Sequence, residues 1–301
     1  MNTPQIIFPN FLSAKDILSD MLEDEIAKLD AKVLLQNFEI AGCHGQIPGL
    51  YWSEKSRLGG NPAMYSYDFQ AEVSLYVQQH IPIFLDFDNP LLVQEDMYNR
   101  FGNHVLQMFN NISFDNVVIC SSKALQSHVK NHYESLKTCW RFFDVNNATE
   151  IVERLNDNEY VLLPTRYGYN KTFLESIPKY FRKRCIISIN DTCDISCPKF
   201  ERHLQESSEI ALMITQKECS DFCEYFYGLP NDAGKSHYIK PLDYSYVVNE
   251  IMELGYNIFY IDAAVQDEFL YIKESCDFLG AENRKVMLID LFCSMSSKYR
   301  Y

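Results

Sequence analysis

Glycine and proline are scarce in this sequence, at eleven residues each in 301. There is no low-complexity tract and no internal repeat with a period of roughly 20 to 50 residues. Solenoid and disordered architectures are excluded on that basis. Basic residues are also in short supply, with 27 Lys and Arg against 41 Asp and Glu and a formal net charge of −14. Neutralising a phosphate backbone takes clustered Lys and Arg, so a general nucleic-acid binder is not expected. The densest basic run, Lys179 to Arg184, reads as a solvated helix end ahead of a strand. No apolar run reaches the roughly 20 residues of a membrane span. The first residues, MNTPQIIFPNFLSAKD, lack a basic segment followed by an apolar core, so neither a membrane anchor nor a secretory leader is expected. The expected setting is cytoplasmic, where the ten cysteines serve as thiols or metal ligands rather than disulfides.

Several catalytic signatures are missing as well. No glycine-rich dinucleotide turn follows the first strand, and no G-x-S-x-G elbow supplies a hydrolase serine. Gly234-Lys235-Ser236 resembles the tail of a phosphate loop, but the glycine that should precede it is Leu229. The Cys-x2-Cys spacing of ordinary zinc ribbons is absent. A radical-SAM motif fails because position 200 is Phe200.

What the chain does have is a regular alternation of short apolar runs and amphipathic helical stretches. Strands are expected near residues 6, 36, 84, 118, 140, 162, 187 and 259, the second over Lys32 to Ala41. Gly42 to Pro62 reads as a long loop. Helices are expected over about Glu95 to Asn110, Ser122 to Tyr133, Thr149 to Leu155, Lys171 to Phe181 and Tyr244 to Leu254, with Gly255 as a left-handed terminator. Further helices are expected at Asp267 to Phe278 and around Val286 to Cys293. Eight strands, each followed by helical sequence, predict one (β/α)8 TIM-type barrel over 1–301, irregular in having a cysteine-containing insertion after the seventh strand. An open doubly wound sheet is the alternative.

A barrel of this kind builds its site at the C-terminal ends of its strands. Position alone then nominates Asn10, Cys43, His44, Asp86, Asp88, Asn89, Ser121, Ser122, Asp144, Thr165, Arg166, Asn190, Asp191, Cys193 and Asp262. Caps and turns use the same residue types, so structural roles compete for each of them. From this set Asp262, Asn89 and Asn190 are the catalytic candidates. Ser121, Ser122 and Arg166 are candidates for substrate binding, as is Trp52, whose ring can stack on a substrate.

The densest group of soft ligands is Cys193-x3-Cys197, His203 and Cys219-x3-Cys223. Sulfurs four apart on a helix share a face and can reach one metal, which makes these five the candidate ligands of zinc or an iron–sulfur cluster. The competing reading is that cysteines are small buried hydrophobes. It is assigned to Cys120, Cys139, Cys185, Cys276 and Cys293.

The segment Asn190-x2-Cys193-x3-Cys197-Pro198-x4-His203 resembles that of a bacterial and phage family of barrel proteins, distantly similar to U32-peptidase-type barrels. Ile81 to Leu92, Asp96 with Asn103, Val118 to Ser122 with Leu125 and Tyr133, and Gly255 to Phe259 fit the same pattern. The resemblance spans about residues 80 to 262 and implies a barrel rather than a particular activity. It departs at the last strand, which ends in Asp262-Ala263-Ala264 where that family tends to place Gly-Arg, an anion-binding arginine. U32-type relatives with clusters hold an iron–sulfur centre on four cysteines, in motifs that differ from these.

Three functions stay open at this point. One is a metal- or iron–sulfur-dependent enzyme acting on a polar substrate at the barrel mouth. Another is a metal-free enzyme using carboxylates, or a barrel that binds carbohydrate, with a small molecule or glycan as partner. The third is a non-catalytic interaction or structural module.

Overall fold

A computed structural model of the chain describes residues 3–8, 38–47, 49–53, 73–74, 76–78, 80–112, 115–191, 200–213 and 242–262. Eight parallel strands close into a barrel in sequence order: β1 (Gln5–Phe8), β2 (Glu39–Gly45), β3 (Ile83–Phe87), β4 (Val117–Cys120), β5 (Lys137–Arg141), β6 (Tyr160–Leu163), β7 (Cys185–Ser188) and β8 (Ile258–Tyr260). The ring is completed by β8 pairing with β1, Gln5 opposite Ile258 and Ile7 opposite Tyr260. The (β/α)8 expectation holds. The helices with defined bounds among the described residues include α1 (Arg100–Ile112), α2 (Lys123–His132), α3 (Ala148–Asp157), α4 (Thr165–Gly168), α5 (Lys171–Ser176), α6 (Lys179–Arg182), α7 (Phe200–Ala211) and α8 (Tyr244–Tyr246), the last running on as a helical stretch to Leu254. Residues 263–301, with the two helices expected there, lie outside the described residues.

Period-two alternation divides each strand between two cores. Ile6, Cys43, Leu85, Val118, Trp140, Val161, Ile187 and Phe259 face outward into the layer shared with the helices. Ile7, Phe84, Val117, Ile119, Cys139, Leu162, Ile186 and Tyr260 fill the barrel itself. The thiols of Cys120, Cys139 and Cys185 are free and buried, as expected of packing residues, and burial pushes those of Cys120 and Cys185 up to about 12.

Two segments differ from the sequence reading. The second strand is Glu39–Gly45, later than the expected Lys32 to Ala41, of which residues 32–37 lie outside the described residues. Its glycines look like loop, yet a Cβ on Gly42 would lie 2.7 Å from the Phe84 ring and 2.8 Å from the Pro82 carbonyl. Glycine there lets β2 approach β3 closely. The expected single helix from Lys171 to Phe181 is two, α5 and α6. Proline cannot continue a helix but suits its start, and Pro178 caps the second. Gly255 terminates the α8 stretch with a φ of 98°, as expected.

Two contacts place α7 beside the C-terminal ends of the strands. The Phe200 ring, at its start, sits 6.5 Å from Phe143 beyond β5. The Ser208 carbonyl, near its end, accepts from Asn89 Nδ2 beyond β3 at 3.3 Å. The helix therefore links the ends of β3 and β5, the two neighbours of β4.

Candidate active site at the barrel mouth

Inward-facing residues change character partway up the barrel. Two positions beyond the apolar layer, Phe84 gives way to Asp86, Ile119 to Ser121, Cys139 to Arg141 and Ile258 to Tyr260. One further step brings Asp88 and Asp262. The lower half of the barrel is a packed core and the upper half is a layer of polar and charged side chains.

The floor of this layer is His44, Asp86 and Tyr260, all buried. His44 Nδ1 lies 2.7 Å from Asp86 Oδ2, and Nε2 lies 2.8 Å from the Ile261 carbonyl. A carbonyl only accepts, so Nε2 carries a proton. His44 thus ties the Asp86 carboxylate of β3 to the backbone just past β8. The Tyr260 ring stacks on the imidazole at 4.0 Å, and its hydroxyl, 2.8 Å from Nδ1, donates to Asp86 Oδ1 at 3.3 Å. Burial first, then the Asp86 and Asp262 charges, push this phenol well above its usual range, so it stays a neutral donor. The Ser53 hydroxyl donates to the Asp86 carbonyl and fixes the strand end.

Above the floor stands Arg141. Its Nη1 donates to Asp88 Oδ2 at 2.7 Å, and its Nη2 lies 3.7 Å from Asp262 Oδ2. Burial works against the guanidinium charge, but Asp88, Asp262 and Asp191 outweigh it and hold the pKa well above the ordinary value. Asp262 is fixed by its neighbour strand. The Asn190 side chain donates to the Asp262 carbonyl at 2.9 Å and accepts from its backbone N–H at 2.8 Å. Asp191 exchanges bonds with Thr165, accepting from its backbone N–H at 2.5 Å while its own N–H donates to the Thr165 hydroxyl at 2.8 Å. Burial raises the Asp191 carboxyl; Arg141 pulls the other way.

Of the catalytic candidates, the structure brings Asp262 and Asn190 together at the mouth. Asn89 is fully buried and committed to the loop after β3, donating to the Tyr51 and Ser208 carbonyls and accepting from Leu91 N–H. Among the proposed substrate contacts, Ser121 donates to the Arg141 carbonyl. Ser122 caps α2 through the Ala124 N–H and donates to the Leu92 carbonyl. Arg166 is held by the Phe143 carbonyl, the Asp144 carboxylate and the Tyr167 hydroxyl. Trp52 is wholly buried, its ring edge-on to Phe87 and filling the space over Gly102, which leaves no face open for stacking. Cys193, Cys197, Cys219 and Cys223 lie outside the described residues. His203 is on α7, and its Nε2 is buried without a hydrogen-bond partner. Among the described residues, no group of three His, Cys, Asp or Glu side chains is arranged to hold a metal ion.

Position at strand ends had also nominated His44, Asp86, Asp88 and Asp191. Arg141 and Tyr260 were missed, because each lies inside a run read as strand. A charged side chain two residues above Cys139 on the inward face was the available signal.

The solved structure "The Structure of the U32 Peptidase Mk0906" is similar to this one, with a TM-score of 0.51 and 10% sequence identity over 86% of this chain and 92% of that one. The chain shares that barrel fold. At such identity the likeness speaks for the fold alone. No protein-family model matches the sequence, and no curated protein matches it. A guanidinium reaches this mouth from β5, as Arg141. No helix among the described residues is long and apolar enough to cross a membrane.

Proposed function

We propose that the protein is an enzyme that performs acid–base chemistry on a polar substrate at the C-terminal mouth of its barrel. The observation that carries this reading is the buried polar layer itself. Barrel interiors are ordinarily filled by branched apolar side chains. Here the Asp86, Asp88 and Asp262 carboxylates, the His44 imidazole and the Arg141 guanidinium are gathered out of water at the end where barrel enzymes place their sites, and each buried ion carries a desolvation cost of several kcal/mol that its pairing has to repay. Burial and charged neighbours perturb Arg141 and Asp191 there, and perturbed groups in such a place mark a candidate site.

In this reading Asp262 transfers the proton, held in position by Asn190. Arg141 binds the substrate and stabilises negative charge that develops on it. His44, Asp86 and Tyr260 form the floor that fixes the strands' upper ends. The test is an activity screen of the full chain across glycosides, peptides and esters, with Asp262→Asn run beside it. The variant is expected to lower kcat by about 10²–10⁴-fold, the usual weight of a general acid or base. No turnover across the panel, or turnover that the variant leaves intact, contradicts the reading.

A second reading adds a metal centre to the same mouth, and the orphaned His203 Nε2 on α7 favours it. His203 with Cys193 and Cys197, joined by Cys219 and Cys223, would hold zinc or an iron–sulfur cluster, a donor set suited to either. Such a centre supplies Lewis acidity or electron transfer beside the carboxylates. Anaerobic purification followed by zinc and iron quantification tests it. Near-stoichiometric metal, lost in the Cys193→Ser/Cys197→Ser variant, is the expected result. Metal-free protein, or metal that survives the double substitution, contradicts it.

A further inference from the structure

We propose that His128 and His132 form a metal site on the last turn of α2, a two-imidazole chelate for a divalent ion of the zinc, nickel and copper group. α2 runs back from the end of β4 to the start of β5, so its last turn leads away from the mouth. The proposal is independent of how the mouth is read.

Side chains four apart on a helix share a face, and helical zinc sites carry two histidines at this spacing. Here the two rings are already together, with centres 4.7 Å apart and planes 37° from one another. Each ring also has one nitrogen committed and one left over. His128 Nε2 lies 2.6 Å from Asn103 Oδ1. The Asn103 amide is oriented by donating to the Met97 and Asn99 carbonyls, both at 2.7 Å, so its oxygen accepts and His128 Nε2 carries the proton. The Nδ1 lone pair of the neutral ring has no hydrogen bond among the described residues, and Nδ1 is not enclosed. His132 Nδ1 lies 2.9 Å from the His128 carbonyl, which only accepts. The neutral His132 ring therefore keeps its lone pair on Nε2, where no hydrogen bond among the described residues takes it up. Metal-binding histidines are typically oriented in this manner, with the other ring N–H donated to an oxygen of the protein.

The surroundings favour a cation. The last turn of a helix carries the negative end of its dipole. Burial and then His132 lower the His128 pKa, which favours the uncharged ring that ligation requires. His132 is exposed, so its ring can turn to bring both lone pairs onto one ion, with water completing the coordination. Imidazole suits zinc, copper and nickel. Magnesium and calcium take oxygen ligands and are not expected here.

The cysteines of the chain also take up zinc, so the experiment reads the imidazoles themselves. The full chain, labelled with 15N in its histidine rings, is titrated with zinc chloride and, separately, with magnesium chloride, and followed by NMR. Loss of signals in His128→Gln and in His132→Gln assigns the two rings. Zinc is expected to shift the His128 Nδ1 and His132 Nε2 resonances together and saturably, and magnesium to leave them in place. In His132→Gln, a change at an exposed position, the zinc affinity read at His128 is expected to fall by at least about tenfold, since loss of an outer partner of a ligand alone costs 10–100-fold. Resonances that stay unmoved in excess zinc overturn the proposal. So does a shift confined to one ring, an equal response to magnesium, or unchanged affinity at His128 in His132→Gln.

Discussion

Asp262 and Arg141 illustrate how differently two residues of one site stand in the sequence. Asp262 follows an apolar run and is visible as a residue beyond a strand. Arg141 is flanked by Trp140 and Phe142 and reads as one more strand residue, although in the barrel the strand continues while its inward face turns polar. The hydrophobic pattern shows where an apolar run stops. It does not show where the packed interior ends, because that depends on the height of each residue up a closed sheet. Tyr260 is hidden for the same reason. Trp52 shows the converse error: a tryptophan in a glycine-rich stretch suggested an exposed ring, and the structure spends it on packing. That contact is testable. A Cβ on Gly102 would sit 2.5 to 2.7 Å from the Trp52 ring, inside any tolerable contact. Gly102→Ala is expected to destabilise the protein by about 1–3 kcal/mol through overpacking, read as a lower midpoint in urea denaturation. An unchanged midpoint would show that the indole is free to move away.

At the scale of elements, α1 and α2 are joined by a small polar cluster. His128 on α2 donates from Nε2 to Asn103 Oδ1 on α1 at 2.6 Å, and the Tyr133 hydroxyl donates to the same oxygen at 2.6 Å. The Asn103 amide in turn donates to the Met97 and Asn99 carbonyls, holding the helical turn before α1. Burial first, and then the His132 imidazole 4.7 Å away, lower the His128 pKa below its ordinary 6.5. The unfolded chain thus binds the proton more readily than the folded one, and stability rises with pH across the interval between the two values. The His128 contribution is present above 6.5 and is lost as pH falls through the lowered folded value. Thermal melts of the wild type are expected to drop over that interval, and His128→Gln is expected to flatten the drop. Parallel profiles for the two proteins would remove His128 as the cause. Most elements were legible in the sequence, because an apolar run bounded by turn residues is what a buried parallel strand requires. The exceptions have local causes. The glycines of β2 mimic a loop, and Pro178 divides a helix whose apolar spacing runs across it.

For the molecule as a whole, closure of the barrel is what makes the site. His44, Asp86, Arg141 and Tyr260 come from four strands spread over more than 200 residues of chain, since His44 and Tyr260 are 216 apart. The sheet brings them to one level, and α7 contacts the residues beyond β3 and β5 at the same end. No short motif encodes such an arrangement, so it is invisible until the strands are placed. The central claim is that this layer works on a ligand rather than merely holding the barrel together. The most direct measurement is equilibrium dialysis of the full chain against a small-molecule cell extract, read by mass spectrometry, with wild type compared to an Arg141→Lys/Asp262→Asn variant of matched melting temperature. The account predicts a polar compound retained by the wild type and not by the variant. Identical retention profiles for the two proteins would contradict it.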